Sequence, residues 1–190
     1  MILGSHNSWS FLPVKRWWMW PIRFVARCQR IDIREQYKQG VRCFDLRVRF
    51  KDGQFQIAHG CVVYDHDRMM WMDDMDWLNQ KGDCYVRILH EVRTKSQRDE
   101  SPKRTFAEFC VFTAWSYPNI RFWCGRNLYD WRKDFDFGDD PTCEERYGSV
   151  SDKKWLYGWW PWLYARINNR RIRQQGTEKE VLLIDFVDII

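Results

Sequence analysis

Five polar residues interrupt apolar segments that are predicted to form strands: His6, Asp45, Arg47, His59 and Asp185. Side chains alternate along a strand, so CFDLRVRF (43–50) places Asp45 and Arg47 on one face and apolar residues on the other. An acid and a base on a buried face cost free energy unless they pair or serve a function. The strand alone leaves a structural ion pair and a functional pair equally open.

Two histidines, an arginine and two carboxylates suit the cleavage of a phosphodiester. One imidazole can accept a proton from the nucleophile while the other donates one to the leaving group, because an ordinary histidine pKa of about 6.5 permits both. A guanidinium binds phosphate oxygens in a fork and offsets charge in the transition state. A carboxylate behind each imidazole would orient it. His6 alone, at a strand end, is usually structural, and the other residues favour catalysis.

These residues must be positioned by strands that alternate with helices. Strands are predicted at 1–4, 43–50, 55–64, 84–92, 120–125 and 181–187, and helices at 29–40, 67–82, 101–118 and 160–176. Such alternation indicates parallel βαβ units, whose polar residues meet at the carboxyl ends of the strands. The chain is shorter than the about 250 residues of a full TIM barrel. We therefore predict an α/β fold, a distorted or trimmed TIM-type (β/α) barrel in one domain over 1–190, with an open doubly wound sheet as the alternative.

Composition excludes several classes of protein. The net charge of +5 comes from interspersed acids and bases, so no continuous basic tract favours nucleic acid. Seven cysteines without a CxxC pair predict reduced thiols rather than disulfides or a zinc site. Neither a signal peptide nor an apolar run of about 18 residues is evident. We expect a soluble protein, cytoplasmic or released without a signal peptide, with peripheral membrane contact as an option.

Four ordered motifs carry a resemblance to a known family. They are GSHNS (4–8), IREQYKQGVRCFDLRV (33–48), IAHG (57–60) and LLIDFV (182–187), and their order and spacing extend over nearly the whole chain. Together they resemble the catalytic domain of bacterial phosphatidylinositol-specific phospholipase C. The resemblance implies a distorted TIM barrel that cleaves the phospholipid through its own inositol 2-hydroxyl. The products would be diacylglycerol and inositol 1,2-cyclic phosphate.

The resemblance also implies a role for each of the five polar residues. His6 corresponds to the general base that deprotonates the attacking hydroxyl, and Asp185 to the carboxylate that orients it. His59 corresponds to the general acid for the diacylglycerol oxygen, with Asp45 beside it. Arg47 would bind the phosphate and stabilise the pentacoordinate transition state.

Substrate contacts are implied at three further positions. Asn7 stands where bacterial members carry aspartate and is more similar to the eukaryotic enzymes. His90, in YVRILHEV, falls where the family places a charged substrate or metal ligand. Arg126 follows FWCG and could contact the headgroup, with a solvated strand-end arginine as the alternative. His66, between two aspartates, is predicted to lie in a polar loop rather than at a metal.

The segment KRWWMWP (15–21) is expected to touch the membrane, because the resembled family carries a short tryptophan-bearing helix near this point. Trp17, Trp18 and Trp20, flanked by Lys15 and Arg16, would suit the headgroup region of an anionic bilayer. Packing of the three rings in the core is the alternative.

No cofactor or metal is expected. Calcium takes six to eight oxygen ligands, and Arg47 occupies the position where the eukaryotic enzymes place an acidic ligand. Its fixed positive charge can do the work of the ion, so chelators should leave activity unchanged. A glycerophosphodiester phosphodiesterase or phospholipase D-like barrel is the alternative enzyme, but those families usually carry a Glu-x-Asp metal pair. A non-enzymatic lipid- or glycan-binding module should have lost at least one of His6, Arg47 and His59.

Overall fold

The computed structural model describes residues 2–51, 53–65, 68–91, 103–123, 144–147, 159–175 and 180–189. Its strands are β1 (Ile2–Ser5), β2 (Cys43–Lys51), β3 (Gln54–His59), β4 (Val62–Val63), β5 (Tyr85–His90), β6 (Arg121–Trp123), β7 (Glu144–Tyr147) and β8 (Glu180–Ile184). A 3₁₀ helix, Trp17–Ile22, precedes the α-helices α1 (Arg23–Ala26), α2 (Ile33–Lys38), α3 (Arg68–Lys81), α4 (Lys103–Ser116) and α5 (Pro161–Gln175).

Six strands form a parallel sheet in the order β7-β8-β1-β2-β5-β6. In the described part of the chain β6 and β7 do not pair with each other, so the sheet is open there. Helices α2, α3, α4 and α5 separate its strands along the chain, as the sequence predicts. The trimmed barrel is therefore confirmed. No described helix is long and apolar enough to cross a membrane.

The segment 55–64 departs from the parallel pattern. It is not one parallel strand, because Gly60 turns the chain with a φ of 62° and divides it into β3 and β4. Strand β3 runs antiparallel to β2, from which it returns through a turn at Gly53, where φ is 77°. Its residue Ile57 lies opposite Val48 of β2. The hairpin therefore carries His59 back towards the middle of β2, not out to the carboxyl end of a parallel strand.

Helix ends follow the local chemistry of the sequence. The Asp32 side chain accepts a hydrogen bond from the Glu35 backbone N–H at 2.8 Å and so caps α2. Gly40, at a φ of 90°, follows the end of α2, since glycine adopts the left-handed region without the cost of a Cβ atom. The glycine end of this helix was predicted, but the predicted start at 29 was wrong, because the Asp32 cap makes the helix begin at Ile33.

Close packing at β1 requires glycine at position 4. Strand β1 lies between β2 and β8, and Gly4 is paired with Cys43 on one side and Leu183 on the other. A Cβ atom at Gly4 would lie 2.4 Å from Leu183 Cδ2 and 3.3 Å from Cys43 Cβ. The glycine of GSHNS therefore allows β1 to lie at the position from which His6 reaches its partners.

We predict that Gly4→Ala lowers the free energy of unfolding by about 1–3 kcal/mol, the usual cost of overpacking a core. Because the nearest atom is the end of the Leu183 side chain, the loss should be smaller when Leu183→Ala is already present. Urea unfolding of the four proteins of this double-mutant cycle measures the difference. Equal losses in both backgrounds would contradict the packing argument.

Candidate active site

His6 lies directly after β1, and its partner Asp185 directly after β8. The two strands pair in parallel, with Ser5 opposite Ile184, and the His6 backbone N–H donates to the Ile184 carbonyl at 3.0 Å. This register brings His6 Nδ1 within 2.7 Å of Asp185 Oδ1, and both side chains are buried. The carboxylate therefore fixes the orientation of the imidazole and favours a proton on Nδ1.

Arg47 is held between two carboxylates in a buried ion cluster. Its Nε donates to Asp45 Oδ2 at 2.7 Å, and one terminal nitrogen donates to Glu91 Oε1 at 2.9 Å. Arg87, paired with Asp45 in the register of β2 and β5, contacts Asp45 Oδ1 at 3.3 Å. Two arginines thus balance two acids, and the Arg47 guanidinium has a fixed position.

The charges of this cluster keep Asp45 ionised. Burial alone would raise the pKa of Asp45, but the neighbouring charges of Arg47, Arg87 and His6 outweigh it and hold the pKa well below its usual value. The two interpretations of the alternating strand are therefore compatible: Asp45 and Arg47 do form a buried ion pair, and that pair lies beside two histidines.

His59 faces His6 across the site, with 5.6 Å between the ring centroids and an angle of 85° between the rings. The partner of its Nδ1 atom is the Ala26 carbonyl at 2.9 Å, where a carboxylate such as Asp45 was expected. The Asp45 carboxylate instead accepts hydrogen bonds from the two arginines and from the Asn7 backbone N–H. Among the described contacts, a carboxylate is hydrogen-bonded to the His6 imidazole but not to the His59 imidazole.

The proton affinity of His59 is low. Burial, followed by the positive charges of His6 and Arg47, lowers the pKa of His59 to about 4. The backbone hydrogen bond to Ala26 acts in the opposite direction without cancelling these effects. His59 is therefore neutral in the ligand-free protein at physiological pH.

A cavity of about 300 Å³ opens over the two histidines. Besides His6, His59 and Asp185, its wall contains Ile22, Val25, Ala26, Cys28, Cys61, Val62 and Pro161. Cys28 is buried, which raises the pKa of its thiol well above the ordinary value, whereas Cys61 is exposed. The cavity can accept a small polar group, and two imidazoles on its wall can transfer protons to and from that group.

Asn7 lies beneath the site, fully buried and with a φ of 45°. Asparagine tolerates this left-handed conformation better than most residues. Its backbone N–H donates to Asp45 Oδ2 at 2.9 Å, so its described contribution is to hold the ion cluster.

His90, a further expected substrate residue, lies away from the site. His90 stacks on Phe106, with 4.6 Å between ring centroids, and alternation along β5 places it on the face opposite Arg87. Burial lowers the pKa of His90 to about 4. Arg126 and His66 lie outside the described residues. Arg87 and Glu91 were not selected in the sequence analysis. The same alternation places both residues on the face of β5 that contacts Asp45 and Arg47.

The tryptophans of the 3₁₀ helix do not pack in the core, so that alternative is wrong. Trp17, Trp18 and Trp20 are 82%, 53% and 70% exposed, and the helix contains no buried residue. Phe24 of α1 and Trp160, just before α5, are also exposed, and their rings are in edge contact with 6.5 Å between the centroids. We call these five residues the aromatic rim. Chain neighbours of the rim residues, namely Ile22, Val25 and Pro161, line the cavity.

Comparisons with known proteins confirm the resemblance seen in the motifs. The chain is 29% identical over 157 residues to proteins named 1-phosphatidylinositol phosphodiesterase from two strains of Staphylococcus aureus, Newman and NCTC 8325 / PS 47. The match covers 78% of this chain but 44% and 42% of those proteins, so the chain spans less than half of their length. No protein-family model matches the chain.

Solved structures share the fold. A mutant of phosphatidylinositol-specific phospholipase C from Staphylococcus aureus superposes with a TM-score of 0.62 at 16% identity, covering 97% of this chain and 84% of that one. The phosphatidylinositol-specific phospholipase C from Listeria monocytogenes gives a TM-score of 0.62 at 13% identity, covering 97% and 87%. The open parallel sheet described above is therefore a version of the barrel found in these enzymes.

The low pKa of His59 predicts how stability depends on pH. An unfolded histidine binds a proton near pH 6.5, whereas folded His59 does so only near pH 4, so the unfolded state binds more protons between these values. The free energy of unfolding should therefore fall as the pH is lowered from 6.5 to 4. Urea titrations of the wild type and His59→Gln isolate this effect, because other titrating groups are common to both. A pH-independent difference would contradict the low pKa.

Proposed function

We propose that this chain is a phosphodiesterase of the phosphatidylinositol-specific phospholipase C type. It cleaves a phosphatidylinositol-type phosphodiester through attack by the inositol 2-hydroxyl, releasing diacylglycerol and a cyclic inositol phosphate. The observation that carries this proposal is the pair of imidazoles facing each other across one cavity, 5.6 Å apart, beside a fixed buried guanidinium. The names of the Staphylococcus aureus relatives agree with this substrate class.

His6 acts as the general base. Its Nδ1 proton is committed to Asp185, which leaves the lone pair on Nε2 to accept the proton of the 2-hydroxyl. The Asp185 carboxylate stabilises the imidazolium that forms. As the hydroxyl oxygen bonds to phosphorus, the P–O bond to diacylglycerol breaks.

Arg47 stabilises the charge that develops on the phosphate. Because Asp45 and Glu91 already hold the guanidinium, little reorganisation is needed when the transition state forms. The same contacts support a mechanism without calcium, since the two carboxylates that could ligate the ion are bound to arginine. They also disfavour a metal-dependent glycerophosphodiester phosphodiesterase, which would need such carboxylates open to the metal.

His59 acts as the general acid that protonates the departing diacylglycerol oxygen. Its pKa of about 4 in the empty site is low for this role. A bound phosphodiester brings a negative charge that offsets the nearby charge of Arg47, and this raises the proton affinity of His59. Substrate binding thereby favours the protonated form of His59, which is the form that can act as the general acid. We infer that turnover is favoured on the acidic side of neutrality.

The aromatic rim brings the cavity to the lipid surface. Indole rings favour the headgroup region of a bilayer, and Arg16, whose guanidinium lies 5.3 Å from the centre of the Trp18 ring, supplies positive charge for anionic lipid. Since the rim adjoins the cavity wall, a headgroup at the membrane surface can enter without the lipid leaving the bilayer.

We predict that the protein converts phosphatidylinositol vesicles to a cyclic inositol phosphate, observed by phosphorus NMR, and leaves other phospholipids intact. His6→Ala and His59→Ala should each lower turnover by about 10²- to 10⁴-fold, the usual range for lost acid–base catalysis. Asp185→Asn should be milder than His6→Ala, because it disturbs orientation rather than the proton acceptor.

A matched control is His90→Phe, which preserves the ring stacked on Phe106. It should retain activity, because His90 lies away from the cavity. Near-normal turnover in a folded His6 or His59 variant would remove the mechanism. Release of a non-cyclic inositol phosphate as the first product would overturn attack by the 2-hydroxyl.

We predict that Trp17→Ala combined with Trp18→Ala weakens binding to anionic vesicles by about tenfold or more, because two rings lose their burial in the interface. Hydrolysis of a water-soluble substrate should be unchanged. Trp115→Ala is the matched control, since this ring is 75% exposed but lies on α4. Vesicle sedimentation gives the affinities. Equal losses from the double variant and the control would refute a specific role for the rim.

A further inference from the structure

The catalytic cavity contains a cluster of soft metal ligands that the proposed reaction does not use as such. One nitrogen or sulfur atom from each of His6, Cys28 and His59 lies within 4.8 Å of the other two. The thiol is buried, and it lies at the edge of the His59 ring, with 3.7 Å between Sγ and Nδ1. The cysteine is therefore part of a three-residue constellation and not an isolated side chain.

We propose that His6, Cys28 and His59 bind a thiophilic divalent cation, for which zinc is the probe, and that this cation reversibly inhibits the enzyme. Zinc bound by sulfur and nitrogen has bonds of about 2.3 Å and about 2.0–2.1 Å, which place tetrahedral ligand atoms about 3.3–3.6 Å apart. The observed separations are close enough for small side-chain rotations to complete the site.

The group behind the His6 imidazole is that of a preformed metal site. A metal-binding histidine usually donates its second N–H to a carboxylate or a backbone carbonyl, which fixes the ring and directs the other nitrogen to the metal. His6 Nδ1 meets Asp185 Oδ1 at 2.7 Å, so His6 would coordinate through Nε2. The His59 nitrogen near the thiol is Nδ1, which also contacts the Ala26 carbonyl at 2.9 Å, so binding the metal requires His59 to exchange this contact for the ion or to rotate its ring.

The donor set selects the kind of cation. Calcium and magnesium prefer oxygen ligands, and a thiolate with two imidazoles suits zinc or cobalt instead. On binding, the Cys28 thiol releases its proton to solvent, and the nearby Asp185 carboxylate offsets part of the remaining positive charge. Three protein ligands leave a fourth position for water.

Inhibition follows from the proposed function, on which this part of the inference rests. A cation on Nε2 of His6 occupies the lone pair that accepts the hydroxyl proton. A cation bound to His59 adds positive charge to its imidazole and so opposes uptake of the proton that the leaving oxygen requires. One ion therefore blocks the general base and the general acid together, and its removal by EDTA restores both.

Binding can be measured without any activity. Titration of the metal-free full chain with Co²⁺ should produce the thiolate-to-cobalt absorption of a tetrahedral site with one equivalent bound, and zinc should displace it. Cys28→Ser and Cys28→Ala should each abolish this absorption, and His6→Ala should weaken binding by about tenfold or more through the loss of one ligand. Cys61→Ser is the matched control, because this exposed thiol lines the same cavity and should leave the spectrum unchanged.

Activity is then measured on phosphatidylinositol vesicles with increasing zinc. The wild type and Cys61→Ser should be inhibited and should recover in EDTA, whereas Cys28→Ser should need at least about tenfold more zinc for the same inhibition. Magnesium should not inhibit any of them. Circular dichroism establishes that each variant is folded. If the Cys28 variants do not fold, the His6→Ala spectrum alone tests the site.

Several outcomes would overturn the proposal. They are a cobalt spectrum without thiolate character, a spectrum lost in Cys61→Ser, or zinc inhibition that is unchanged in a folded Cys28 variant. Failure of the proposed function gives a different pattern, namely no turnover in EDTA while the Cys28-dependent cobalt absorption persists. In that case the metal site stands and the inhibitory role is wrong.

Discussion

The buried Asp45 residue ties together the parts of the structure that form the site. Its carboxylate accepts hydrogen bonds from Arg47, Arg87 and the Asn7 backbone N–H. Its own backbone N–H donates to Ser8 Oγ at 2.7 Å, and its carbonyl accepts from the Ser8 N–H at 2.9 Å. One residue thus joins the turn after β1 to β2 and β5. Because an uncompensated buried charge is strongly destabilising, loss of either arginine would disturb the turn that carries His6 as well as the rest of the ion cluster.

Much of this site was predictable because its residues obey strand alternation. Asp45 and Arg47 share a face in the sequence and in the structure, and Asp185 is the one charge in an apolar strand end. The same rule applied to YVRILHEV would have selected Arg87 and Glu91 and rejected His90, which lies on the opposite face. His90 was implied by the family resemblance alone, without support from the alternation.

Other features could not be inferred from local patterns. The hairpin that returns His59 towards Arg47 depends on long-range pairing with β2, and an apolar segment looks the same in parallel and antiparallel strands. Cys28 lies between α1 and α2 in no recognisable ligand spacing, and only the fold brings it to His59. The Ala26 carbonyl is a backbone group, so no side-chain motif marks it as the partner of the second imidazole.

That carbonyl has a mechanical consequence. Ala26 is the last residue of α1, which follows the tryptophan-bearing 3₁₀ helix without a break, and its oxygen accepts hydrogen bonds from both His59 and Tyr64. The anchor of the imidazole therefore belongs to the segment that also bears the exposed indoles. A displacement of this segment would therefore move the Ala26 carbonyl and change the contact of 2.9 Å that orients His59. The orientation of the His59 imidazole thus depends on the position of the segment that carries the exposed indoles.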